Sequence, residues 1–123
     1  MIKGYQDFYY NVSDMNRAVQ FYTEALGMKK TYGHEHWATM NVGNLNLGLH
    51  WSEGNAVPLT PRNCHGQDNG GTLTFLSDNI VEDKTRIERA GGKILGEPNQ
   101  DWGHMLVFED PDGNVLKLIN PKH

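Results

Sequence analysis

The feature that most constrains how this chain can fold is an order of predicted elements that occurs twice. In each half, a strand is followed by a helix and then by three strands. The residues expected to cap the two helices, Asp14 and Asn79, are 65 positions apart, and so are the glycines expected to end them, Gly27 and Gly92. Few residues are identical between the halves, so it is the pattern that repeats. The sequence therefore predicts two copies of one βαβββ module.

The first module is predicted from alternation and helix caps. In residues 6–12 two sets of side chains alternate at period two, which predicts a strand. Ser13 or Asp14 then caps a helix that Gly27 ends. Strands are predicted around residues 29–32, 37–42 and 45–51, with a tight turn at 43–44. The apolar stripe expected on the helix consists of Met15, Ala18, Val19, Tyr22 and Leu26.

The second module follows a segment of turn-forming residues. Residues 52–71 are rich in Gly, Pro, Asn and Ser, which favours a linker or a loop over a cleft. A strand is then predicted over 72–77, and Asn79 caps a helix whose charged face is expected to be solvated. The last strands are predicted at 93–95, 105–108 and 115–119, and a turn at 110–114 joins the final two.

Length and pattern together predict one α+β domain. A chain of 123 residues suits a single domain, whereas a module of about fifty residues is marginal alone. We expect a first module over 1–53, a linker over 54–70 and a second module over 71–123. A sheet with a helix on one face leaves its other face open, so two such sheets could enclose a trough.

Charge and composition exclude several kinds of partner. The formal net charge is −4, which argues against nucleic acid and gives no attraction to an acidic membrane. No apolar run approaches the roughly 20 residues of a membrane span. The single Cys64 cannot form an intrachain disulfide, so we expect a cytoplasmic protein. Cys64 beside His65 is a poor candidate for a nucleophile and its base, because adjacent loop residues seldom form that pair.

Several motifs resemble one known family. They are VSDMNRAVQFYTEALGM (Val12 to Met28), GGKILGEP (Gly91 to Pro98), Trp102-Gly103 and FEDPDGNVLKL (Phe108 to Leu118). In this order they are similar to the vicinal oxygen chelate superfamily, also called the glyoxalase/bleomycin resistance protein/dioxygenase family. The resemblance implies two βαβββ modules with cupped mixed sheets around a cavity, and usually a homodimer. Family members include metal-dependent enzymes and drug-binding proteins without a metal, so the site must decide the function.

The resemblance also implies where a metal would be held, and this chain departs from that pattern. The family's ligands come from the first and last strands of each module and are usually His, Glu or Gln. The matching positions here are Asp7, Thr72, Lys117, and Gly48 or His50. A protonated lysine offers no lone pair and repels a cation. We therefore expect no metal and no other cofactor, and we expect Lys117 either to bind an anionic ligand group, with Asp7 as a possible counter-ion, or to face solvent.

The residues expected to bind a ligand follow from the same alternation of faces. Aromatic and hydrogen-bonding side chains on the face away from the helices suit a drug-like molecule. Trp51 and Trp102 are candidates for the rim, with packing in the core or at a dimer interface as the alternative. The ligand-binding candidates are Asp7, Tyr9, Asn11, Trp37, His50, Thr72, Thr74, Trp102 and Lys117, and Thr39, Asn41, Asn46 and Leu76 share their face.

Three functions remain open at this stage. The first is metal-free binding of a small molecule, such as sequestration of a drug or metabolite. The second is a metal-dependent lyase, isomerase or dioxygenase with an atypical site built from Asp7, His50 and perhaps His104. The third is a metal-free enzyme that uses His50 or Lys117 as catalytic groups. His34 and His36 could share a surface metal, but a solvated pair is favoured.

Overall fold

The computed structural model describes residues 1–58 and 71–122. Most of the predicted linker, together with Cys64, His65 and His123, lies outside the described residues. The strands are β1 (Phe8–Val12), β2 (Lys29–His34), β3 (Trp37–Val42), β4 (Leu45–Trp51), β5 (Leu73–Leu76), β6 (Lys93–Gly96), β7 (Asn99–Gln100), β8 (Gly103–Glu109) and β9 (Val115–Pro121). The helices are α1 (Met15–Leu26) and α2 (Ile80–Arg89).

Each half forms its own mixed sheet, and the predicted α+β class is confirmed. In sheet 1 the strand order is β1-β4-β3-β2, and in sheet 2 it is β5-β9-β8-β6, with the short β7 beside β8. The first strand of each module pairs in parallel with the last, and the other pairs are antiparallel. The bounds predicted for β3 and β4 are those observed, whereas β7 is a two-residue strand that the sequence pattern did not indicate.

Helix α1 begins and ends as its sequence indicates, but its buried stripe is wider than predicted. The Asp14 side chain accepts from the backbone N–H of Arg17, and Gly27 ends the helix at φ 65°. Phe21 and Ala25, absent from the predicted stripe, are buried. They are buried because α1 packs against α2 as well as against sheet 1, so two sides of the helix are covered. The contact between the two helices therefore adds Phe21 and Ala25 to the buried stripe predicted for α1.

The helix-side faces of both sheets share one core. Buried side chains of β1, β3 and β4 join those of β8 and β9 around the two helices. Alternate residues of these strands point to the opposite faces, which we call the open faces of sheet 1 and sheet 2. None of the helices in the described residues is both long enough and apolar enough to cross a bilayer.

The turn at 110–114 joins the two modules. Asp110 is 3% exposed, and its carboxylate accepts from the Tyr22 hydroxyl of α1 at 2.7 Å. It also accepts from the backbone N–H groups of Asp112 and Asn114 and from the Asn114 side chain. Asp112 accepts in turn from the backbone N–H and hydroxyl of Ser13. The Asp-Pro-Asp-Gly-Asn motif therefore acts as a clamp that holds the second module on the start of the first.

Burial sets the electrostatics of this clamp. It raises the pKa of the Asp110 carboxyl above its ordinary value, although the hydrogen bonds from Asn114 and Tyr22 act in the opposite direction. Burial, and then the negative charge of Asp110, hold the pKa of Tyr22 well above 10. Tyr22 is therefore a hydrogen-bond donor at neutral pH. Each donor that faces the Asp110 carboxylate stabilises its negative charge.

Candidate ligand-binding face

Three rings form a cluster on the open face of sheet 1, which we call the aromatic platform: Tyr9, Trp37 and His50. The ring centroids of Tyr9 and Trp37 are 5.5 Å apart, those of Tyr9 and His50 6.0 Å, and those of Trp37 and His50 6.3 Å. The strand register explains the cluster, because β4 lies between β1 and β3 and pairs His50 with both Asn11 and Trp37. Tyr9 is 53% exposed, so the platform is accessible to a ligand.

A glycine and a threonine hold the indole ring of Trp37 in place. Gly48 pairs with Tyr9 on one side and with Thr39 on the other. A Cβ atom at Gly48 would overlap the Trp37 ring and come within 2.9 Å of the Tyr9 Cβ, so only glycine lets the indole cover this strand. The indole N–H donates to the Thr39 hydroxyl at 2.9 Å. The ring is thus fixed before any ligand arrives, and its polar atom is already satisfied.

His50 is oriented by a side chain of the neighbouring strand. Its Nδ1 lies 3.1 Å from the amide oxygen of Asn11, and that oxygen can only accept a hydrogen bond. In the neutral imidazole, a hydrogen bond to this oxygen requires the proton on Nδ1 and leaves Nε2 as an acceptor. Nε2 forms no hydrogen bond with any residue that the structure describes. The side chain is exposed, so this acceptor is available at the edge of the platform.

The open face of sheet 2 carries Lys117 together with apolar and polar groups, among them Lys93 and Glu109. Lys117 pairs in register with Thr74 on β5 and with Val107 on β8. It is half-buried and forms no ion pair within residues 1–58 and 71–122. Leu76, on the same face, is 81% exposed. The alternation argument therefore places Lys117 correctly on the face away from the helices, since Leu116 and Leu118 are both buried.

Comparison with known proteins decides the family. The model of the Glyoxalase/Bleomycin resistance protein/Dioxygenase superfamily matches residues 5–118. The chain belongs to this superfamily. The resemblance predicted from the sequence is thereby confirmed, and with it the fold of two βαβββ modules.

Relatives within the superfamily differ in what their names say they do. Lactoylglutathione lyase of Salmonella typhimurium is 30% identical over 119 residues, which cover 90% of this chain and 87% of that protein. The fosfomycin resistance protein FosX of Listeria monocytogenes was solved with Mn(II) and sulfate. It superimposes with a TM-score of 0.77 at 18% identity, and the match covers 99% of this chain and 93% of the FosX chain. TnmS3, an antibiotic binding protein of Streptomyces sp. CB03234, superimposes with a TM-score of 0.65 at 22% identity. The match covers 99% of this chain and 100% of the TnmS3 chain. The structural likenesses show the fold alone.

The residues at the superfamily's ligand positions do not fit a metal ion. A divalent transition metal requires three or more imidazole or anionic ligands. Lys117 presents an ammonium group, Thr72 a neutral hydroxyl and Gly48 no side chain, so Asp7 and His50 are the two good donors of the set. Among residues 1–58 and 71–122, no group of three His, Cys, Asp or Glu side chains is placed to hold a metal.

Two pairings considered from the sequence are not formed in the chain. Asp7 and Lys117 lie at different sheets and no ion pair joins them, so the condition under which Asp7 would be the counter-ion of Lys117 is not met within the described residues. His104 donates to Glu97 at 2.8 Å, and Lys84 donates to the other oxygen of the same carboxylate. Hydrogen bonds from Lys84 and then His104 lower the pKa of Glu97. His104 is thus engaged within the second module and does not join Asp7 and His50.

The remaining aromatic candidates lie away from the platform. The Trp51 indole N–H donates to the backbone carbonyl of Ser13, and its ring lies 5.3 Å from that of His36. Trp102 lies in the turn between β7 and β8 and is 48% exposed. Within the described residues, neither ring contacts Tyr9, Trp37 or His50. Their predicted role at the rim stays a prediction.

A groove between the modules differs in its apolar walls from the trough predicted between the sheets, although Thr74 and Leu76 of the predicted face also line it. It has a volume of about 480 Å³ and lies between the end of α1, the β3–β4 turn and the edge strand β5. Its wall includes Leu26, Val42, Leu73 and Phe75, with Asp83 as a charged group. Alternation along one strand cannot reveal such a groove, because it depends on how the two modules are placed. The aromatic platform lies outside it, so residues 1–58 and 71–122 do not enclose a ligand on the platform within this groove.

Proposed function

We propose that this protein binds a flat small molecule on the aromatic platform without the help of a metal ion. The observation that carries the proposal is the fixed indole of Trp37, which lies over Gly48 with its N–H already bonded to Thr39. An oriented and accessible ring offers stacking area at little cost in conformational entropy. A ligand-sequestering protein of the cytoplasm, acting on a drug or metabolite, fits these features.

Lys117 is the proposed partner of an anionic group on such a ligand. A half-buried ammonium without a carboxylate partner among the described residues is partly desolvated and uncompensated. An acidic oxygen of a ligand would supply the missing charge. Thr74, its register neighbour, adds a hydroxyl that can orient the same oxygen. Asp7, Thr72 and Trp102 stay predicted ligand contacts.

A homodimer is the proposed assembly. The open faces of the two sheets leave Tyr9, Tyr32 and Leu76 exposed, with Leu76 at 81%. A second copy would cover Tyr32 and Leu76 and close the space above the platform without filling it, and a symmetric pair is the commonest way for a chain to do so.

We expect sedimentation analysis to give twice the chain mass of 13.9 kDa, and Leu76→Lys to shift the distribution to the single chain because it places a charge in the interface. The matched control is Val81→Lys on α2, a residue that is also exposed, at 67%, but lies on the helix side. This variant should keep the mass of the parent protein. A wild-type chain that sediments as a monomer at micromolar concentration contradicts the proposed dimer.

Binding and metal content can be measured on the same preparations. In a protein with Trp51→Phe and Trp102→Phe, Trp37 is the only tryptophan. We expect planar aromatic compounds at saturating concentration to quench its fluorescence. Trp37→Leu should weaken binding about tenfold or more in equilibrium dialysis, since a buried aromatic anchor contributes roughly 2 kcal/mol.

Elemental analysis after purification without chelators should give far less than one transition metal per chain.

A metal-dependent enzyme is the second candidate function, and the identity with lactoylglutathione lyase favours it. One Mn, Ni, Zn or Fe ion per chain, lost on Asp7→Ala or His50→Ala, would establish this candidate and reject metal-free binding. If no member of a broad aromatic library quenches Trp37, the binding role itself is rejected.

A further inference from the structure

We propose that His50 and Asn11 select ligands that present an N–H or O–H group at the edge of their stacked ring. This inference rests on the proposed function, since it assumes that the ligand stacks on the aromatic platform, and it adds the chemistry of the ligand. Asn11 is the positioning residue, and His50 is the group that contacts the ligand.

The first step is the hydrogen bond between the two side chains. The amide oxygen of Asn11 lies 3.1 Å from His50 Nδ1, and the register pairs these two residues directly across β1 and β4. An amide oxygen has lone pairs and no proton, so it holds the imidazole in the Nδ1–H form. In the neutral imidazole the second ring nitrogen then has a lone pair and no proton.

The second step is the position of that lone pair. The His50 ring lies 6.3 Å from Trp37 and 6.0 Å from Tyr9, next to the surface on which a ligand would stack. A stacked ring with an N–H at its edge satisfies Nε2. A ring of the same shape with an oxygen at that edge places two lone pairs against each other. A site built in this way discriminates against the analogue that lacks the donor, because its own polar group is left unpaired.

Indole and benzofuran are matched probes for this idea. They have the same shape and area, but indole presents an N–H where benzofuran presents an oxygen. In titrations followed by nitrogen-15 NMR, with the Trp37 indole signal as reporter, we expect indole to bind about fivefold to tenfold more tightly. His50→Phe keeps a ring at this position and should reduce the ratio of the two affinities to about one, since both ring nitrogens, and with them the acceptor, are removed.

Two asparagine variants separate positioning from general effects of the sheet. Asn11→Leu should reduce the preference for indole while both probes still shift the Trp37 signal. Asn46→Leu is the control, since Asn46 lies on β4, four residue pairs from His50, and its side chain accepts from Asn41. It should leave the ratio unchanged. Imidazole spectra of the free wild-type protein should show the Nδ1–H form of His50.

The outcomes distinguish the two proposals. If both probes shift Trp37 with equal affinity, or if His50 carries its proton on Nε2, the selectivity is overturned while binding on the platform stands. If neither probe shifts Trp37 at saturating concentration, stacking on the platform is rejected, and the selectivity falls with it.

Discussion

Replacing Gly48 with alanine should abolish stacking of a ligand on Trp37. A Cβ atom at this position overlaps the six-membered ring of the indole and comes within 2.9 Å of the Tyr9 Cβ. The indole has to swing away and lose its bond to Thr39. We expect ligand affinity to fall by more than tenfold and stability by about 1–3 kcal/mol, as is typical of overpacking. Equilibrium dialysis and thermal unfolding measure the two effects.

Gly96→Ala is the matched control for this variant. Gly96 also lies in a strand, β6, but a Cβ atom there has no heavy atom within 4 Å. Its affinity and its melting temperature should stay close to those of the wild-type protein. If Gly48→Ala binds as tightly as the control does, the indole is not held over β4 and the platform is not the binding surface.

Replacing Asp110 with alanine should destabilise the protein by about 3 kcal/mol or more. The substitution removes the acceptor of the Tyr22 hydroxyl, of two backbone N–H groups and of the Asn114 side chain. Each buried donor left without an acceptor costs about 1–3 kcal/mol, although water that enters the space offsets part of this. Because the clamp joins the two modules, we expect the melting temperature to fall by roughly 10 °C.

Two further variants test whether the clamp is the cause. Tyr22→Phe removes a single donor and leaves Asp110 with its three other partners, so its loss should be about 1–2 kcal/mol. Asp101→Ala, at an exposed aspartate in the turn between β7 and β8, should change stability by less than about 0.5 kcal/mol. A loss at Asp110 no larger than that at Asp101 would show that the modules are held together by their apolar contacts alone.

Local chemistry explains why much of the fold could be predicted. The caps Asp14 and Asn79 bind the first turns of their own helices, and Gly27 adopts the left-handed backbone that its position indicates. Alternation along β1, β3 and β4 likewise assigns Tyr9, Trp37 and His50 to the open face, because successive side chains of a strand point to opposite sides. These features depend on neighbours within a few residues, so the sequence alone carries them.

Other features depend on residues far apart in the chain. Phe21 and Ala25 are buried because the second helix lies against the first. Trp37 is held by Gly48 and Thr39, although nothing around residue 37 indicates which strand will lie beside it. The resemblance to the superfamily implied Gly48 or His50 as a ligand position, and the register shows that Gly48 lies beneath the Trp37 indole. Similarly, the sequence did not indicate that the His104 side chain would bond to Glu97.

The sequence by itself determined the two-module architecture and the faces of the strands, and its resemblance to the superfamily implied that Lys117 stands at a position of a metal ligand. Hydrophobic periodicity and side-chain chemistry act locally, which is why a single sequence reveals them. Only the tertiary structure decided that the modules are clamped through Asp110 and that the rings of β1, β3 and β4 meet over a glycine. Both results require two distant segments to approach each other, and that approach depends on the packing of the whole core.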